Sequence, residues 1–249
     1  MISQKFVCNI CGSTSQFFPV GDWRESPSCT QCGSSVRLRS IIHCLTLAIF
    51  KKSLNLQEIE KTELVGIGLS DWCGYADILE KKFNYKNTFY HKAPFLDITN
   101  PELEYYDKAD FVISSEVFEH VPRPVENAFL GVKKILKENG FLVLSVPYKE
   151  IGFSVEHFPV LNKSRQIKQE NGDWILVNEK KDGTVEIFKN IIFHGGPGTT
   201  IEMRVFGKND LIKMLKEIGF SKIYHDESCY AKFGIFYPHK DGIPLVAMQ

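Results

Sequence analysis

The first residues that could do chemistry are four cysteines near the start of the chain. Cys8 and Cys11 form one CxxC pair, Cys29 and Cys32 form a second with 17 residues between the pairs, and a glycine follows each. This spacing is typical of a tetrahedral zinc site, because each CxxC turn brings two thiolates to one ion. Two disulfides or a thioredoxin-like redox pair are the alternatives, and neither explains the duplicated CxxCG. We therefore predict a structural zinc ribbon whose closed four-thiolate site has no open position for zinc chemistry.

A histidine in a glycine-rich turn is the second candidate. His194 lies in the sequence FHGGPG at residues 193–198. An imidazole titrates near neutral pH and can remove a proton from an attacking hydroxyl or amine, so His194 is predicted to be the catalytic general base. A histidine that only fixes the turn through backbone hydrogen bonds is the alternative. His157, in EHFP at residues 156–159, ranks second as a base.

These side chains must be positioned by an alternation of strands and helices that begins near residue 63. The sequence ELVGIGLSD at residues 63–71 predicts a strand that runs into a tight turn, and a helix is predicted over residues 72–83 with Ser70 or Asp71 as its cap. Gly66 and Gly68 would let the backbone approach a ligand closely, and the helix N-terminus beyond them favours a carboxylate or phosphate. A plain strand-turn-helix would contain the same glycines, so this motif alone has little specificity.

Three downstream segments are more specific. Residues 109–124 are ADFVISSEVFEHVPRP, and an amphipathic helix pattern follows them. Residues 136–147 are LKENGFLVLSVP, which predicts a helix stop at Gly140 and then a buried strand. Residues 206–220 are FGKNDLIKMLKEIGF, which predicts a last helix that ends at Gly219.

Taken together, these segments resemble the central part of small-molecule class I S-adenosylmethionine (SAM)-dependent methyltransferases. The family pattern is D-x-V, four residues, V-L-E-H-V, and later L-K-P-G-G, a strand and a proline; here Phe118 replaces the leucine, and Glu138-Asn139-Gly140 replace Pro-Gly-Gly. The resemblance covers roughly residues 63–147 and 205–248. It implies an α/β fold with a Rossmann-like class I methyltransferase sheet and helices on both faces, and SAM or S-adenosylhomocysteine (SAH) as the cofactor.

The resemblance also implies a set of cofactor-binding residues. Two departures from the family stand out: Ser70 replaces the third glycine of the first loop, and the acid that ends the second strand in most relatives is missing before Lys92. Asp97 resembles the third-strand acid near the adenine, with capping of a turn as its alternative role. His120 is expected to be structural. Carried over residue by residue, the cofactor-binding set is Gly66, Gly68, Ser70, Asp71, Asp97, Ile98, Ser114, Ser115 and Glu116.

These patterns divide the chain into three predicted parts. Residues 1–35 are predicted to form the zinc ribbon, residues 36–55 a connecting helix, and residues 56–249 the methyltransferase domain. Arg37 and Arg39 at the start of that helix are predicted to lie on a solvated face, and contact with an anionic substrate is the alternative. Residues 148–204 are too long for an ordinary loop after the last parallel strand and are predicted to form an inserted lid. Within that lid, a β-hairpin is predicted to turn at Asp182-Gly183.

Charge and hydropathy exclude some partners. With 30 basic and 30 acidic residues, the formal net charge is zero, which gives no overall attraction to nucleic acid or anionic membranes. The N-terminus lacks a basic-then-apolar signal pattern, and no apolar run approaches the roughly 20 residues that span a bilayer. A cytoplasmic protein with a small-molecule acceptor, and with no nucleic acid or membrane partner, is the expectation.

The predicted function is methyl transfer from SAM to a hydroxyl or amine of a small molecule, with a sugar or glycan intermediate as the expected acceptor. A non-catalytic methyltransferase-like module that recruits a partner through the ribbon is one alternative. An RNA methyltransferase that uses the ribbon for recognition is another, and the neutral charge argues against it. A nicotinamide-dependent oxidoreductase is disfavoured because the first loop lacks GxGxxG.

Overall fold

The computed structural model of the protein describes residues 4–17 and 22–249. Its helices are α1 (Val36–Phe50), α2 (Cys73–Lys82), α3 (Glu126–Ile135) and α4 (Lys208–Ile218). Its strands are β1 (Gln4–Val7), β2 (Thr14–Phe17), β3 (Val65–Leu69), β4 (Asn84–Thr88), β5 (Ala109–Ser115), β6 (Leu136–Ser145), β7 (Tyr148–Lys149), β8 (Val155–Glu156), β9 (Lys163–Lys168), β10 (Trp174–Glu179), β11 (Val185–Phe188), β12 (Phe193–His194), β13 (Thr200–Ile201), β14 (Arg204–Gly207), β15 (Lys222–Tyr224) and β16 (Leu245–Met248).

A six-stranded mixed sheet forms the centre of the molecule, in the order β15-β16-β6-β5-β3-β4. Strands β3 to β6 run parallel, while β16 is antiparallel to both β6 and β15. The interior strands β5 and β6 are almost entirely buried, as expected for a sheet covered on both faces. The predicted α/β fold, a Rossmann-like class I methyltransferase sheet with helices, is confirmed. Beyond β4, an isolated parallel bridge joins Phe89 to Phe95.

The helices of this domain match the predicted ones except at two of their ends. Helix α2 has Trp72 as its N-cap and no side-chain cap, so the prediction that Ser70 or Asp71 caps it was wrong. Helix α3 ends at Ile135, five residues before the predicted stop at Gly140, and Asn139 takes the left-handed conformation with φ of 65°. Helix α4 ends as predicted at Gly219, whose φ of 100° suits a residue without a Cβ.

The segment between β6 and α4 carries eight short strands. Strands β10 and β11 form the predicted hairpin, with Gly183 at φ of 84° in its turn, and β9 extends it to three strands. Strand β14 lies between β7 and β8 in a three-stranded sheet, parallel to β7 and antiparallel to β8. Phe158, Leu176 and Ile201 form a small apolar cluster of their own in this segment, which we call the lid.

The N-terminal part packs directly on the main domain. Strands β1 and β2 pair as an antiparallel hairpin, and Phe6, Ile10 and Trp23 belong to the same apolar core as the central sheet. Helix α1 begins at its N-cap Ser35, whose hydroxyl accepts a hydrogen bond from the Leu38 amide, and it contacts β6 and β16. Among the helices that the structure describes, none is both long and apolar enough to cross a membrane.

Candidate functional site

The four cysteines of the two CxxC pairs converge. Their sulfur atoms all lie within 4.8 Å of one another, and all four are free thiols. The Sγ atoms of Cys8 and Cys32, and those of Cys11 and Cys29, are 3.7 Å apart. A tetrahedral zinc ion with Zn–S bonds of about 2.3 Å requires sulfur atoms about 3.8 Å apart. The donor set and its spacing therefore fit zinc.

Glycines shape both turns of this cysteine cluster. Gly12 and Gly33 have φ of 80° and 74°, and their amides donate to the carbonyls of Cys8 and Cys29. Such positive φ angles are accessible to glycine at little cost. The glycine after each CxxC pair is therefore explained by the turn that folds each pair onto one point.

A buried arginine lies beside the cysteine cluster. Arg39 is fully buried, which makes the predicted solvated face wrong for this residue, and its guanidinium donates to the carbonyls of Ser34, Phe233 and Gly234. None of the ion pairs within residues 4–17 and 22–249 includes it. Burial lowers the pKa of Arg39, and the charges of the four cysteine sulfurs counteract that shift. A four-thiolate zinc site would carry a net negative charge, which the Arg39 guanidinium would balance.

The second region is the edge at which the parallel strands β3, β5 and β6 end. Leu69 pairs with Ser114, and Ser115 pairs with Ser145, so the first loop and the end of β5 lie side by side. Ser70 takes the left-handed conformation with φ of 57°, which glycine adopts at a lower cost than serine. Ligands bind at this edge in open α/β sheets.

Asp71 is buried at this edge and held by two tyrosines. Its carboxylate accepts hydrogen bonds from the hydroxyls of Tyr75 and Tyr85, and its backbone pairs with the side-chain amide of Asn87. Burial raises the pKa of Asp71 to about 7, against the opposing effect of the tyrosine hydroxyls and Arg37. The residue therefore joins the first loop to β4 and α2.

Gly66 and Gly68 face buried side chains of the sheet. A Cβ at Gly66 would overlap the ring of Phe111, and one at Gly68 would overlap the Tyr85 hydroxyl and the Asp71 carboxylate. Both glycines thus make room for packing beneath the edge. Their predicted role in cofactor binding stays a prediction.

Two arginines of the N-terminal part reach the same edge. Arg24 donates to both carboxylate oxygens of Glu116, which also accepts from the hydroxyl of Ser145. Arg37 donates to the Ser115 hydroxyl, so its predicted place on a solvated face was wrong. The hydroxyl of Ser114 is buried without a hydrogen-bond partner among the described residues. Sequence reasoning missed Arg24, because nothing local indicates an ion pair across 92 residues.

Arg37 also holds a carboxylate in its fork. Its Nε and Nη2 atoms donate to the two oxygens of Glu25 at 2.6 Å and 2.8 Å. The Arg37 side chain is 12% exposed, whereas that of Glu25 is 40% exposed. The guanidinium of Arg37 is thus buried, whereas the Glu25 carboxylate that it binds is partly exposed to solvent.

Asp97 and Ile98 lie in the turn after the Phe89–Phe95 bridge. One carboxylate oxygen of Asp97 accepts from the amide and the hydroxyl of Thr99, and Ile98 is buried. The alternative role of Asp97 as a turn cap is therefore present in the structure. No hydrogen bond to its second oxygen is found in the described part of the chain.

The lid brings His194 against the turn that follows β5. His194 Nε2 lies 3.0 Å from Glu202, His194 Nδ1 lies 3.1 Å from His120 Nε2, and His157 contacts Glu202 at 2.8 Å. The carboxylates of Glu119 and Glu202 raise the pKa of His194 to about 10. A general base must be neutral to accept a proton, so the base role predicted for His194 requires a change in this charge environment.

Glu119 is the residue of this cluster that sequence reasoning missed. It is fully buried, and neither carboxylate oxygen has a hydrogen-bond partner among the described residues. Burial raises its pKa to about 7. Its position directly before His120, in the segment that carries the family resemblance, was the available signal.

Comparison with known proteins gives structural similarity alone. No protein-family model matches the chain, and no curated protein matches it in sequence. The CMeT domain of the citrinin polyketide synthase superposes with a TM-score of 0.47 at 12% identity, over 85% of this chain and 52% of that domain. This chain therefore spans about half the length of that structure.

Two further solved structures are similar over most of their own length. A Burkholderia thailandensis 1,6-didemethyltoxoflavin-N1-methyltransferase with bound SAH gives a TM-score of 0.42 at 12% identity, over 86% of this chain and 76% of that one. A SAM-bound amino pentose methyltransferase of calicheamicin biosynthesis from Micromonospora echinaspora gives a TM-score of 0.44 at 11% identity. The superposition covers 87% of this chain and 92% of that one. Similarity this distant assigns neither activity nor substrate.

Proposed function

We propose that the protein transfers a methyl group from SAM to a hydroxyl or amine of a small molecule. The observation that carries the proposal is the polar edge of the central sheet, where Ser70 follows the end of β3 and Ser115 and Glu116 lie at the end of the neighbouring strand β5. Ligands of open α/β sheets bind at this edge. A sugar or glycan intermediate is the acceptor class we favour.

The cofactor's amino-acid end is assigned to the arginine side of this edge. Arg37 holds the 40% exposed Glu25 carboxylate in a bidentate fork, and Arg24 donates to the same carboxylate, so a cofactor carboxylate would have to replace Glu25 there. We assign the carboxylate of SAM to this fork, beside Ser115 and Glu116. The first loop, with Gly66, Gly68, Ser70 and Asp71, would bind through its backbone.

The adenosine end is assigned to the turn that contains Asp97 and Ile98. One carboxylate oxygen of Asp97 caps the turn and thereby orients the side chain. The second oxygen is the one assigned to the cofactor. Asp97 would then both cap the turn and bind the cofactor.

The acceptor is assigned to the side of the edge that the lid covers. SAM supplies a methyl group on a positively charged sulfonium, which is already activated for in-line displacement. The chain's own residues therefore have to orient the nucleophile, exclude water and handle a proton. His194 is the catalytic candidate, because the lid holds it beside the turn that begins two residues after Glu116.

We further propose that Cys8, Cys11, Cys29 and Cys32 bind one structural zinc ion. The fit of the sulfur positions to a tetrahedron and the uncompensated buried charge of Arg39 support this assignment. A closed four-thiolate site leaves no position for substrate. The ion would hold the ribbon that presents Arg24 to the sheet edge.

A non-catalytic binding module is the second candidate function. Its support is the packing of Tyr85 and Phe111 against Gly66 and Gly68, which fills the space that glycines often leave for a ligand. Such a module could still bind SAH. Methyl transfer from isotope-labelled SAM to small-molecule extracts separates the two functions, because only the enzyme releases labelled product and SAH.

Calorimetric titration of the purified protein with SAH, with NAD and with 5′-methylthioadenosine tests the cofactor assignment. We expect SAH to bind, NAD to show no binding, and 5′-methylthioadenosine to bind more weakly because it lacks the carboxylate that Arg37 would hold. Absence of SAH binding, or tighter binding of NAD, contradicts the proposal.

Two variants locate the cofactor's two ends. Arg37→Gln should weaken SAH binding about 10- to 100-fold, the range for a hydrogen bond to a charged group, and leave 5′-methylthioadenosine unchanged. Asp97→Asn retains an acceptor for the Thr99 cap and should weaken both ligands. Lys213→Gln, at a cation that is 73% exposed on α4, is the matched control and should change neither. Equal losses of both ligands in Arg37→Gln would place the carboxylate elsewhere.

A further inference from the structure

A set of three potential metal ligands lies where the lid meets the turn after β5. Ligand atoms of Glu119, His120 and His194 all lie within 4.8 Å of one another. His120 Nε2 is 3.1 Å from His194 Nδ1, and each of these nitrogens is 3.6 Å from Oε1 of Glu119. Neighbouring ligand atoms around an ion with bonds of about 2.1 Å are about 3.0 to 3.4 Å apart. Small adjustments would place all three atoms on one ion.

The buried carboxylate of Glu119 is the independent observation that points to a ligand. Its side chain is 0% exposed, and neither oxygen has a hydrogen-bond partner among the described residues. A buried carboxylate without hydrogen bonds is strongly disfavoured and calls for a cation or a donor. The two nearby imidazole nitrogens lie at 3.6 Å, beyond hydrogen-bonding distance. The donors of the described residues therefore leave this carboxylate without a hydrogen bond.

Outer hydrogen bonds turn both imidazoles toward Glu119. His120 Nδ1 lies 2.8 Å from the carbonyl of Ile201, and His194 Nε2 lies 3.0 Å from the carboxylate of Glu202. In the neutral form of each ring, a carbonyl or carboxylate partner makes the outer nitrogen the donor, so the inner nitrogen carries a lone pair. Glu202 is itself held by His157 at 2.8 Å. Metal-binding histidines have this second hydrogen bond to a carboxylate or carbonyl in almost every known site.

A protonated His194 is the competing arrangement. Its Nδ1 could then donate to His120 Nε2, and its Nε2 could donate to Glu202. Both rings would be satisfied, and Glu119 would form an ion pair with His194 at 3.6 Å but no hydrogen bond. A cation bound by Glu119, His120 and His194 satisfies the two lone pairs and the carboxylate at once.

We propose that Glu119, His120 and His194 bind a divalent metal ion through two imidazoles and one carboxylate. This ligand set suits zinc, iron(II), cobalt(II) or manganese(II), whereas the thiolates of the ribbon select zinc. With three protein ligands, the ion keeps open positions. If the proposed methyl transfer holds, those positions would orient an acceptor oxygen, which makes a hydroxyl the favoured acceptor and His194 a metal ligand.

Titration with Mn²⁺, followed by the electron paramagnetic resonance signal of the free ion, tests the site in protein that carries one equivalent of Zn²⁺, which the four thiolates bind first. Zinc loading fills the ribbon, and thiolates do not favour Mn²⁺, so Mn²⁺ reports the nitrogen and oxygen site. We expect one Mn²⁺ per chain. Glu119→Gln and His194→Gln should each weaken that binding by at least about 100-fold, because loss of an outer partner alone costs 10- to 100-fold.

Matched variants keep the test decisive. His157→Gln disturbs only an outer partner and should weaken Mn²⁺ binding by about 10-fold, whereas His91→Gln, at an exposed histidine in the Phe89–Phe95 loop, should have no effect. If Glu119→Gln does not fold, His194→Gln carries the comparison, because His194 is partly exposed. Absence of binding of Mn²⁺, Co²⁺ or a second Zn²⁺, or unchanged binding in both ligand variants, overturns the proposal.

SAH binding is measured in the same preparations to separate this proposal from the proposed function. Intact SAH binding without metal binding would overturn the metal site alone. Metal binding without SAH binding would support the site and contradict the proposed cofactor.

Discussion

At the scale of single residues, the chemistry of the sheet edge depends on buried charge. Asp71, Glu116 and Glu119 are three acids at or near the ends of β3 and β5, and each has a different environment. Two tyrosines hold Asp71, Arg24 holds Glu116, and Glu119 has no hydrogen-bond partner in the described part of the chain. These three carboxyl groups therefore differ in their interactions because their surroundings differ.

Asp71 makes stability depend on pH in a defined direction. Burial raises its pKa from 3.8 to about 7, so between these values the folded protein holds a proton that the unfolded chain has released. The stabilisation is fully present below about pH 4 and is lost as the pH rises through about 7. We expect the free energy of unfolding of the wild type, minus that of Asp71→Asn, to fall by about 1 to 4 kcal/mol between these pH values.

Urea denaturation at a series of pH values measures this difference. Asp182→Asn, at an exposed acid in the hairpin turn, is the control and should give a difference that does not fall over the same range. A difference that stays constant for Asp71→Asn, or that rises with pH, would show that the folded protein does not hold the extra proton.

At the scale of elements, the ribbon combines short strands with a proposed zinc site. Strands β1 and β2 have four residues each, which is too little for an independent sheet. Binding of zinc by four thiolates would supply the missing folding free energy. Arg39 at the start of α1 would then balance the charge of the site and tie the ribbon to the carbonyls of Phe233 and Gly234.

One zinc ion per chain should survive dialysis against a weak chelator. Cys8→Ser should lose it, because three thiolates cannot close the site, whereas Cys73→Ser, at an exposed isolated cysteine, should retain it. His194→Gln should retain it as well, which separates the ribbon metal from the site in the lid. Elemental analysis provides the measurement, and full zinc content in Cys8→Ser would refute the assignment.

At the scale of the whole molecule, the ribbon and the methyltransferase-like sheet share one core. Phe6, Ile10 and Trp23 of the ribbon belong to the same apolar cluster as the central strands. Trp23 Nε1 donates to His239 Nε2 at 2.7 Å, and Arg24 pairs with Glu116. Loss of the ribbon would therefore expose apolar surface of the main domain.

A strong chelator should consequently lower the melting temperature of the entire chain in a single transition. The experiment uses the His194→Gln variant, in which the proposed lid metal is already weakened, so the shift reports the ribbon. Differential scanning calorimetry distinguishes the outcomes. A separate low-temperature transition with an unshifted main transition would mean that the ribbon unfolds independently.

The sequence by itself determined the features that depend on neighbouring residues. The periods of apolar residues predicted α2, α4 and the parallel sheet, and Asp182-Gly183 predicted the turn of the β10–β11 hairpin. The CxxC spacing predicted the convergence of the four cysteines, which the structure contains. Each of these signals is local, because a helix, a tight turn or a cysteine knuckle is decided within a few residues.

Only the tertiary structure decided which charged residues are buried and which ones meet. Arg37 and Arg39 have the spacing of a solvated helix start, yet the ribbon and the C-terminal segment cover them. His120 and His194 are 74 residues apart, and Arg24 and Glu116 are 92 apart. Burial of a charge and the meeting of distant side chains depend on how complete elements pack, and no pattern of neighbouring residues contains that information.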